Sequence, residues 1–358
     1  MHVDRCEAVA AIFAARARVV GIELNSVSDV YSWNRQSPRS FEKLTLFSVN
    51  SRQATRGWLR LVRLLRTCLS LGDGDFFFCH YEYPEIFFTA LILRVLRRNV
   101  FVMNDSKFDD KPRILWREFG KSIAYLPYKG ALVSAERAKD YMVFLRFRAG
   151  RVQTGYDTLS IQRIRSAAAG LSDTPESFAG RHFTAIARLV EKKNLSTLLQ
   201  AYARYARLVD EPRPLHICGN GHLEAALKAQ ALSLGIHQNV LFRGFLQSDE
   251  VAATLRTTLA LMLPSIEEQF GLVVIEAQAM GIPVIYSPAC GARDELLRTA
   301  VNGFMVEPDN PIGIAYYMEM ISTDEGLWKR LSAAALGTAD AGNVERFVTA
   351  VERLRGKA

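Results

Sequence analysis

Short apolar runs alternate with longer stretches of mixed polarity through most of the chain. Residues 76–79, 100–103, 183–187 and 259–263 contain few polar positions, as strands buried on both faces of a parallel sheet do. The stretches between such runs repeat apolar residues at helical spacing. This alternation predicts an α/β fold with parallel sheets.

Chain length and apolar content indicate more than one domain. The 358 residues, of which 49% are hydrophobic, are enough to build two cores. Residues 166–177 are small, polar and without a clear period, so they predict a linker. We therefore expect an N-terminal domain of residues 1–177, a C-terminal domain of residues 178–335 and a final segment of residues 336–358.

Positive charge is concentrated in the first half of the chain. Residues 1–165 carry a net charge of +11, whereas residues 166–358 carry −3. A basic amphipathic helix is predicted where arginines recur at helical spacing beside apolar residues, namely Arg56, Arg60, Arg63 and Arg66. Such a helix fits an anionic membrane or a lipid-linked diphosphate acceptor, and it equally fits a solvated helix face. Nucleic acid is not expected as a partner because no motif that reads it accompanies the charge.

Other sequence features bear on location and metal binding. No apolar run approaches the ~18 residues that a membrane span needs, and no signal segment is visible, so we expect a cytoplasmic protein. The five cysteines show no close pairing and are interpreted as reduced. Asp73-Gly74-Asp75 resembles an Asp-x-Asp metal motif but precedes a strand, which favours a turn. We expect no metal and no cofactor.

Two carboxylates surround a Phe-Gly step after the apolar run 259–263. Glu268 and Glu276 lie eight positions apart, and Gly271 lies between them. If residues 259–263 are a strand and residues 272–280 a helix, this loop lies at the sheet edge where ligands bind. Gly271 would then present N–H groups to a phosphate, and Glu276 would reach a sugar hydroxyl roughly 7 Å further along the helix. The alternative is a capped helix with one acidic residue on its solvent face.

Two cations and a glycine pair follow other predicted strands. Arg188 and Lys193 flank the loop after residues 183–187, where they could meet a diphosphate; alternatively, they are surface cations. Gly219 and Gly221 form a Gly-x-Gly turn, which also occurs in ordinary turns and in dinucleotide sites. The neighbouring His222 is interpreted as a residue at a helix start.

Four blocks of the second half resemble the retaining GT-B glycosyltransferases of family 4, also called glycosyltransferases group 1. The third block contains the Glu-x7-Glu motif, and all four follow the family's order and spacing. They are residues 186–194, 217–221, 268–285 and 290–308.

The resemblance implies a fold and a set of site residues. It implies two Rossmann-like doubly wound domains that face each other across a cleft, with an acceptor-binding N-terminal domain and a nucleotide-sugar-binding C-terminal domain. The helical stretch at residues 344–354 would return to the first domain. Implied catalytic residues are Glu268, Arg188 and Lys193. Implied donor-binding residues are Gly271, Phe270, Leu272, Glu276, Gly219 and Gly244, and implied sugar or acceptor contacts are His80 and Asp105, which follow two predicted strands. For His80 and Asp105, a cap or a turn is an equal alternative.

The same resemblance implies a function. It is the retaining transfer of a hexose-type sugar from a nucleoside diphosphate sugar to a hydroxyl group of a glycan or lipid-linked glycan, in surface polysaccharide or glycolipid assembly. The basic N-terminal domain would contact the inner face of the cytoplasmic membrane. Two alternatives stay open: a non-catalytic GT-B-like subunit that binds nucleotide or glycan, and a nucleotide-sugar epimerase or hydrolase.

The beginning of the chain departs from the family pattern. Family members usually begin with a strand and a glycine-bearing loop, whereas residues 4–17 here have a helical pattern. We therefore expect the first strand to be missing or the start to be misplaced.

Overall fold

The computed structural model describes residues 2–25, 38–47, 56–169 and 177–356. The chain divides into two compact units, one of residues 1–158 with 344–358 and the other of residues 159–343. This division comes earlier in the chain than the boundary expected after residue 177. Residues 166–169 of the expected linker end a helix, Ile161–Ala169, because three consecutive alanines favour helix over coil. Residues 170–176 lie outside the described residues.

The first unit is built on a four-stranded parallel sheet. Its strands follow chain order, β3-β4-β5-β6, so each crossover helix joins neighbouring strands. Two earlier strands, β1 and β2, pair with each other in a separate parallel sheet. The strands are β1 (Val20–Asn25), β2 (Glu42–Phe47), β3 (Asp75–Phe78), β4 (Asn99–Asn104), β5 (Gly130–Val133) and β6 (Val152–Thr154). The helices are α1 (His2–Phe13), α2 (Gly57–Ser70), α3 (Pro84–Val95), α4 (Leu115–Ala124), α5 (Glu136–Phe144) and α13 (Glu345–Gly356).

Strand β4 shows how this sheet is covered on both faces. Val100 and Val102 point to a core formed with helices α2, α3 and α5. Phe101, which points to the opposite face, packs in a cluster with residues of α1 and α13 that includes Phe13 and Phe347. The C-terminal helix therefore belongs to the first unit, and the continuous apolar run is explained by burial on both faces.

The predicted basic helix forms as α2, but its arginines do not all face solvent. Arg60 donates from Nε to Glu85 Oε1 at 2.8 Å, and the Arg63 guanidinium lies 5.0 Å from the centre of the Phe47 ring. Arg56 is exposed and immediately precedes the helix. At least two of the four arginines thus stabilise the fold of this unit.

The second unit contains a six-stranded parallel sheet with the order β12-β11-β10-β7-β8-β9. The order reverses between β7 and β10, which is the doubly wound arrangement. The strands are β7 (His182–Ile186), β8 (Leu215–Cys218), β9 (Val240–Gly244), β10 (Thr258–Leu263), β11 (Val284–Tyr286) and β12 (Gly303–Met305). The helices are α6 (Ile161–Ala169), α7 (Leu195–Tyr205), α8 (Glu224–Ser233), α9 (Ser248–Arg256), α10 (Val273–Ala279), α11 (Pro311–Thr323) and α12 (Glu325–Thr338).

The core of the second unit lies between this sheet and its helices. Strand β10 is buried at every position, as its unbroken apolar run predicts. Within the described ranges, no helix combines the length and the apolar character needed to cross a bilayer.

Candidate active site

Two loops meet where the strand order of the second unit reverses. One follows β7 and the other follows β10, and both leave the carboxyl ends of their strands. The Ile266 N–H donates to the Lys192 carbonyl at 2.9 Å, and the Asn194 amide donates to the Pro264 carbonyl at 3.1 Å. In parallel α/β sheets this edge is where ligands bind.

An ion pair joins these loops in the position that the sequence assigns to catalysis. Lys193 Nζ donates to Glu268 Oε2, and the Ser265 hydroxyl donates to the same oxygen at 3.2 Å. Both charged side chains are nearly buried. The Ser287 hydroxyl donates to the Ser265 carbonyl, which fixes the serine in turn. The carboxylate of Glu268 is therefore held in one orientation by a cation and a hydroxyl group.

A second ion pair lies beside the first. Lys192 Nζ donates to Glu267 Oε1 at 3.0 Å, and these side chains are more exposed than those of the first pair. The sequence analysis did not single out Lys192 or Glu267. The Lys-Lys dipeptide in one loop and the Glu-Glu dipeptide in the other could have indicated two ion pairs. The sequence alone does not show which lysine contacts which glutamate.

The backbone of Glu268 is fixed by a third loop, after β11. Glu268 forms a parallel bridge with Cys290, and the Gly291 N–H donates to the Glu268 carbonyl at 3.2 Å. A Cβ atom on Gly291 would lie 1.8 Å from the Gln269 carbonyl oxygen, so only glycine fits there. Gly291 belongs to a block that supports the family resemblance, but its positioning role was not predicted.

Gly271 adjoins Glu268 and precedes a short helix. Its φ of +98° is in the region that favours glycine, and an added Cβ would lie 3.4 Å from Glu268 Cγ. Helix α10 has seven residues, Val273–Ala279, one fewer at each end than predicted. Phe270 is buried, and its carbonyl accepts from the Ala292 N–H at 2.9 Å. Leu272 is half-buried.

The Gly-x-Gly turn after β8 packs against the loop after β7. Gly219 has a φ of +139°, and a Cβ there would lie 1.9 Å from the Ala187 carbonyl oxygen. A Cβ on Gly221 would lie 2.3 Å from the Leu189 carbonyl oxygen. The Gly219 N–H donates to the Gly244 carbonyl at 2.6 Å, which brings together two glycines that the sequence assigned to one site.

The structure also places three other residues of the second unit that the sequence singled out. Arg188 follows β7 and is half-buried. Glu276, on α10, lines a narrow crevice with Arg163 of α6 and Ser248 of α9 that is too small to admit a water molecule. His222 lies before α8, and its Nε2 is 2.8 Å from Glu191 Oε1.

Asn194 is a further positioning residue that the sequence analysis missed. It has a left-handed backbone with φ of 55°, and its side-chain amide donates to both Pro264 and Pro308 carbonyls. Asparagine tolerates this conformation better than most residues, so the Asn after Lys192-Lys193 was a usable signal.

In the first unit, His80 and Asp105 both follow neighbouring parallel strands, as predicted. Burial raises the pKa of the Asp105 carboxyl above its usual range, and the charges of His80 and Arg5 oppose this shift. His80 has a φ of 59°, and its Nδ1 lies 3.1 Å from Glu82 Oε1. A carboxyl group and an imidazole thus share one edge of this sheet.

Arg5 is a buried cation that the sequence did not indicate. Its guanidinium donates to Asp157 Oδ1 at 3.1 Å and lies 4.5 Å from the centre of the Tyr156 ring. The Tyr156 hydroxyl is 3.3 Å from Cys79 Sγ. These contacts fix helix α1 to the carboxyl edge of the sheet. Among the described residues, no group of three or more His, Cys, Asp or Glu side chains could hold a metal ion.

The second unit matches a known family. Residues 180–337 fit the family model described as glycosyl transferases group 1. We call this matched region the group 1 domain. It contains the switch-point loops, both ion pairs and every predicted donor-binding residue. The match confirms the resemblance to glycosyltransferases group 1 that the sequence predicted.

Curated relatives match over less than half of this chain. A D-inositol 3-phosphate glycosyltransferase of Streptomyces bingchenggensis is 38% identical over 117 residues, covering 33% of this chain and 24% of the relative. The lipopolysaccharide core biosynthesis glycosyltransferase LpsE of Rhizobium meliloti is 30% identical over 145 residues, covering 40% of each chain. The matched segments thus span less than half of the length of these relatives.

Solved structures extend the likeness to the whole chain at the level of fold. Sucrose-phosphate synthase from Thermosynechococcus elongatus superposes with a TM-score of 0.74 at 17% identity, covering 99% of this chain and 91% of that one. Anabaena HepE in complex with UDP and glucose superposes with a TM-score of 0.73 at 15% identity, covering 100% of this chain and 96% of that one. The predicted α/β class and GT-B fold are confirmed.

Proposed function

We propose that this protein is a retaining glycosyltransferase that moves a hexose-type sugar from a nucleoside diphosphate donor to a hydroxyl group of a glycan or lipid-linked glycan. The observation that carries the proposal is the ion pair of Lys193 and Glu268 at the switch point of the group 1 domain. A sugar diphosphate needs a cation at its phosphates and hydrogen-bond acceptors at its sugar hydroxyls. This pair offers one of each, on loops joined by backbone hydrogen bonds.

The cations act on the departing diphosphate. In the proposal, Arg188 and Lys193 contact the phosphate oxygens, which gain negative charge as the bond to the sugar breaks. The Gly271 N–H adds a donor without a side chain that would block close approach. Because these positive groups belong to the protein itself, we propose that the reaction needs no metal ion and no cofactor.

The two carboxylates act on different parts of the donor. Glu268 accepts hydrogen bonds from hydroxyl groups of the transferred sugar, and Glu276 accepts them from the ribose hydroxyls. The backbone around the other donor-binding residues, Gly219, Gly244, Phe270 and Leu272, completes the contact with the nucleotide.

The acceptor hydroxyl attacks the face of the sugar from which the diphosphate departs. The bond from the anomeric carbon to the phosphate oxygen breaks while a bond to the acceptor oxygen forms. The leaving phosphate oxygen takes the proton of the acceptor hydroxyl, and the configuration is retained. His80 and Asp105 hold the acceptor or the transferred sugar in this proposal.

Relatives support a place in surface polysaccharide or glycolipid assembly. One is a lipopolysaccharide core biosynthesis glycosyltransferase, and a fold neighbour was solved with UDP and glucose. We propose that this protein acts in the cytoplasm, in peripheral contact with the inner face of the membrane through its basic first unit.

A transfer assay with labelled donors tests the proposal. The protein is incubated with UDP-, GDP-, ADP- or dTDP-linked hexose and a bacterial lipid extract, and NMR determines the anomeric configuration of any product. We expect one donor to give a retained product. Glu268→Gln should abolish it, and Glu267→Gln, the matched control in the neighbouring ion pair, should not. Release of free sugar without transfer, or inversion, would contradict the proposal.

A further inference from the structure

Helix α4 in the first unit is amphipathic, but its apolar side faces solvent instead of the core of the unit. Two of its three charged residues, Glu118 and Lys121, turn toward the unit, where Lys121 Nζ donates to Glu118 Oε1 at 2.8 Å. The buried Tyr141 of α5 donates its hydroxyl to Glu118 and accepts from Lys121 at 2.8 Å. Hydrogen bonds from Lys121 and Tyr141 hold the pKa of Glu118 below its usual range, although burial acts in the opposite direction. The polar side of this helix is therefore its inner side.

The apolar side of α4 faces solvent. Leu115, Trp116, Phe119 and Ile123 are 78%, 84%, 51% and 48% exposed. At about 100° per residue these four positions fall within one arc of about 100° on the helix surface. A helix that packs on a soluble core normally presents such an arc inward, so this exposed face needs a partner.

Further exposed apolar side chains follow α4 or contact Tyr141, the residue that bonds to the inner side of α4. Leu126, two residues after the helix, is exposed, and so are Phe108 and Phe144. The Phe108 and Phe144 rings meet edge to face with centres 5.3 Å apart, and Phe108 also contacts Tyr141 beneath α4. We call Leu115, Trp116, Phe119, Ile123 and Leu126 the α4 face.

The surroundings of the α4 face are basic. Residues 111–148 hold nine Lys and Arg against three Asp and Glu. Of the three acidic residues, Glu118 is buried beneath α4 and Glu136 pairs with Lys139. Lys111, Arg117 and Arg146 are exposed, and the Arg146 guanidinium lies 6.0 Å from the centre of the Phe119 ring. Positive charge thus borders apolar side chains.

We propose that the α4 face docks onto an anionic lipid bilayer. An apolar face with bordering Lys and Arg is what an interfacial helix needs to insert below lipid headgroups and pair with their phosphates. A second copy of this chain fits less well, because a symmetric contact would place two basic borders against each other. The inference rests on the proposed membrane contact and assigns it to α4, whereas the sequence pointed to α2.

Vesicle binding tests this assignment. The whole protein is sedimented with vesicles of phosphatidylcholine alone or mixed in equal parts with phosphatidylglycerol. We expect binding to the mixed vesicles, and the variant Leu115→Ser with Trp116→Ser should weaken partitioning by about tenfold or more. The matched control replaces Leu232 and Ile312 by Ser, two residues of the second unit that are 62% and 64% exposed. This control should bind as the wild type does.

Three other outcomes would overturn the inference. Absence of binding by the wild type, or equal binding by the α4 variant, would exclude α4 as the docking element. A dimer in solution that the α4 variant converts to a monomer would assign the face to a second copy. Nucleotide titration separates the failure of this inference from the failure of the proposed function. If vesicle binding fails but nucleotide still binds, only the assignment of α4 is wrong. If the wild type binds no nucleotide, only the proposed function is contradicted.

Discussion

Lys193 forms an ion pair with Glu268, a residue 75 positions away in the chain and on a different loop. The pair neutralises two nearly buried charges and holds both side chains at the switch point of the sheet. In the proposed function, donor phosphates compete with Glu268 for the ammonium group. The carboxylate then becomes available to the hydroxyl groups of the sugar.

Glu268→Gln should reduce turnover far more than donor affinity. The amide keeps the size of the side chain but loses the negative charge that, in the proposed function, aligns the sugar in the transition state, so we expect kcat to fall by about 100-fold or more. Steady-state kinetics and calorimetry measure the two effects. A loss of donor affinity with unchanged turnover would place Glu268 in binding only.

Lys193→Ala should weaken both donor binding and stability. It removes the proposed phosphate contact and leaves Glu268 without its cation, so the free energy of unfolding should fall by about 1–3 kcal/mol. Urea unfolding and nucleotide titration measure these effects. The matched control is Lys192→Ala, in the more exposed pair, for which both changes should be small. Equal effects of the two substitutions would contradict the assignment.

Gly219→Ala should destabilise the second unit. The new Cβ would lie 1.9 Å from the Ala187 carbonyl oxygen at a φ of +139°, so the loops after β7 and β8 must separate. We expect a loss of about 2 kcal/mol or more in unfolding free energy, with weaker nucleotide binding. Gly337→Ala is the control, because nothing lies within 4 Å of its Cβ position and it is in helix α12. That substitution should be neutral or slightly stabilising.

A stacked histidine pair should make stability depend on pH. His182 and His216 lie with ring centres 3.7 Å apart, and burial lowers the pKa of each to about 4 from 6.5. Above pH 6.5 both rings are neutral in either state. Between pH 6.5 and 4 the unfolded chain takes up protons that the folded chain does not, so stability falls as pH falls.

Urea unfolding between pH 7 and 5 measures this dependence. We expect a slope of up to about 1.4 kcal/mol per pH unit from the more buried His182. His216→Gln should reduce the slope, since one titrating ring is removed and its neighbour loses the stacking partner that hinders its protonation. Equal slopes in wild type and variant would show that other groups cause the dependence.

The sequence predicted the sheets better than the boundaries of the units. Runs such as residues 259–263 are buried on both faces, and a strand in that position consists almost entirely of apolar residues, which is visible in the sequence. The division after Thr158 and the helical state of residues 166–169 were not predicted, because small residues with no period fit a linker and a helix end equally well.

The sequence located site candidates best where they lie close together in the chain. Glu268 and Gly271 are three residues apart, and the sequence placed both in the loop after residues 259–263, with the family resemblance favouring a donor site over a capped helix. Pairing of Lys193 with Glu268, the support from Gly291 and the cation Arg5 depend on contacts between distant segments. The sequence of one protein does not show which distant segments contact each other. Helix α4 was missed for a similar reason, since periodicity reveals an apolar face without showing which way it points.

The most direct test of the central claim is calorimetric titration of UDP, GDP, ADP and dTDP into the purified wild type and Glu276→Ala. The account predicts that one nucleotide binds selectively and that the variant binds it about 10- to 100-fold more weakly, because a contact to the ribose hydroxyls is lost. Binding of no nucleotide by the wild type, or equal binding by both proteins, would contradict the placement of the donor at the switch point of the group 1 domain.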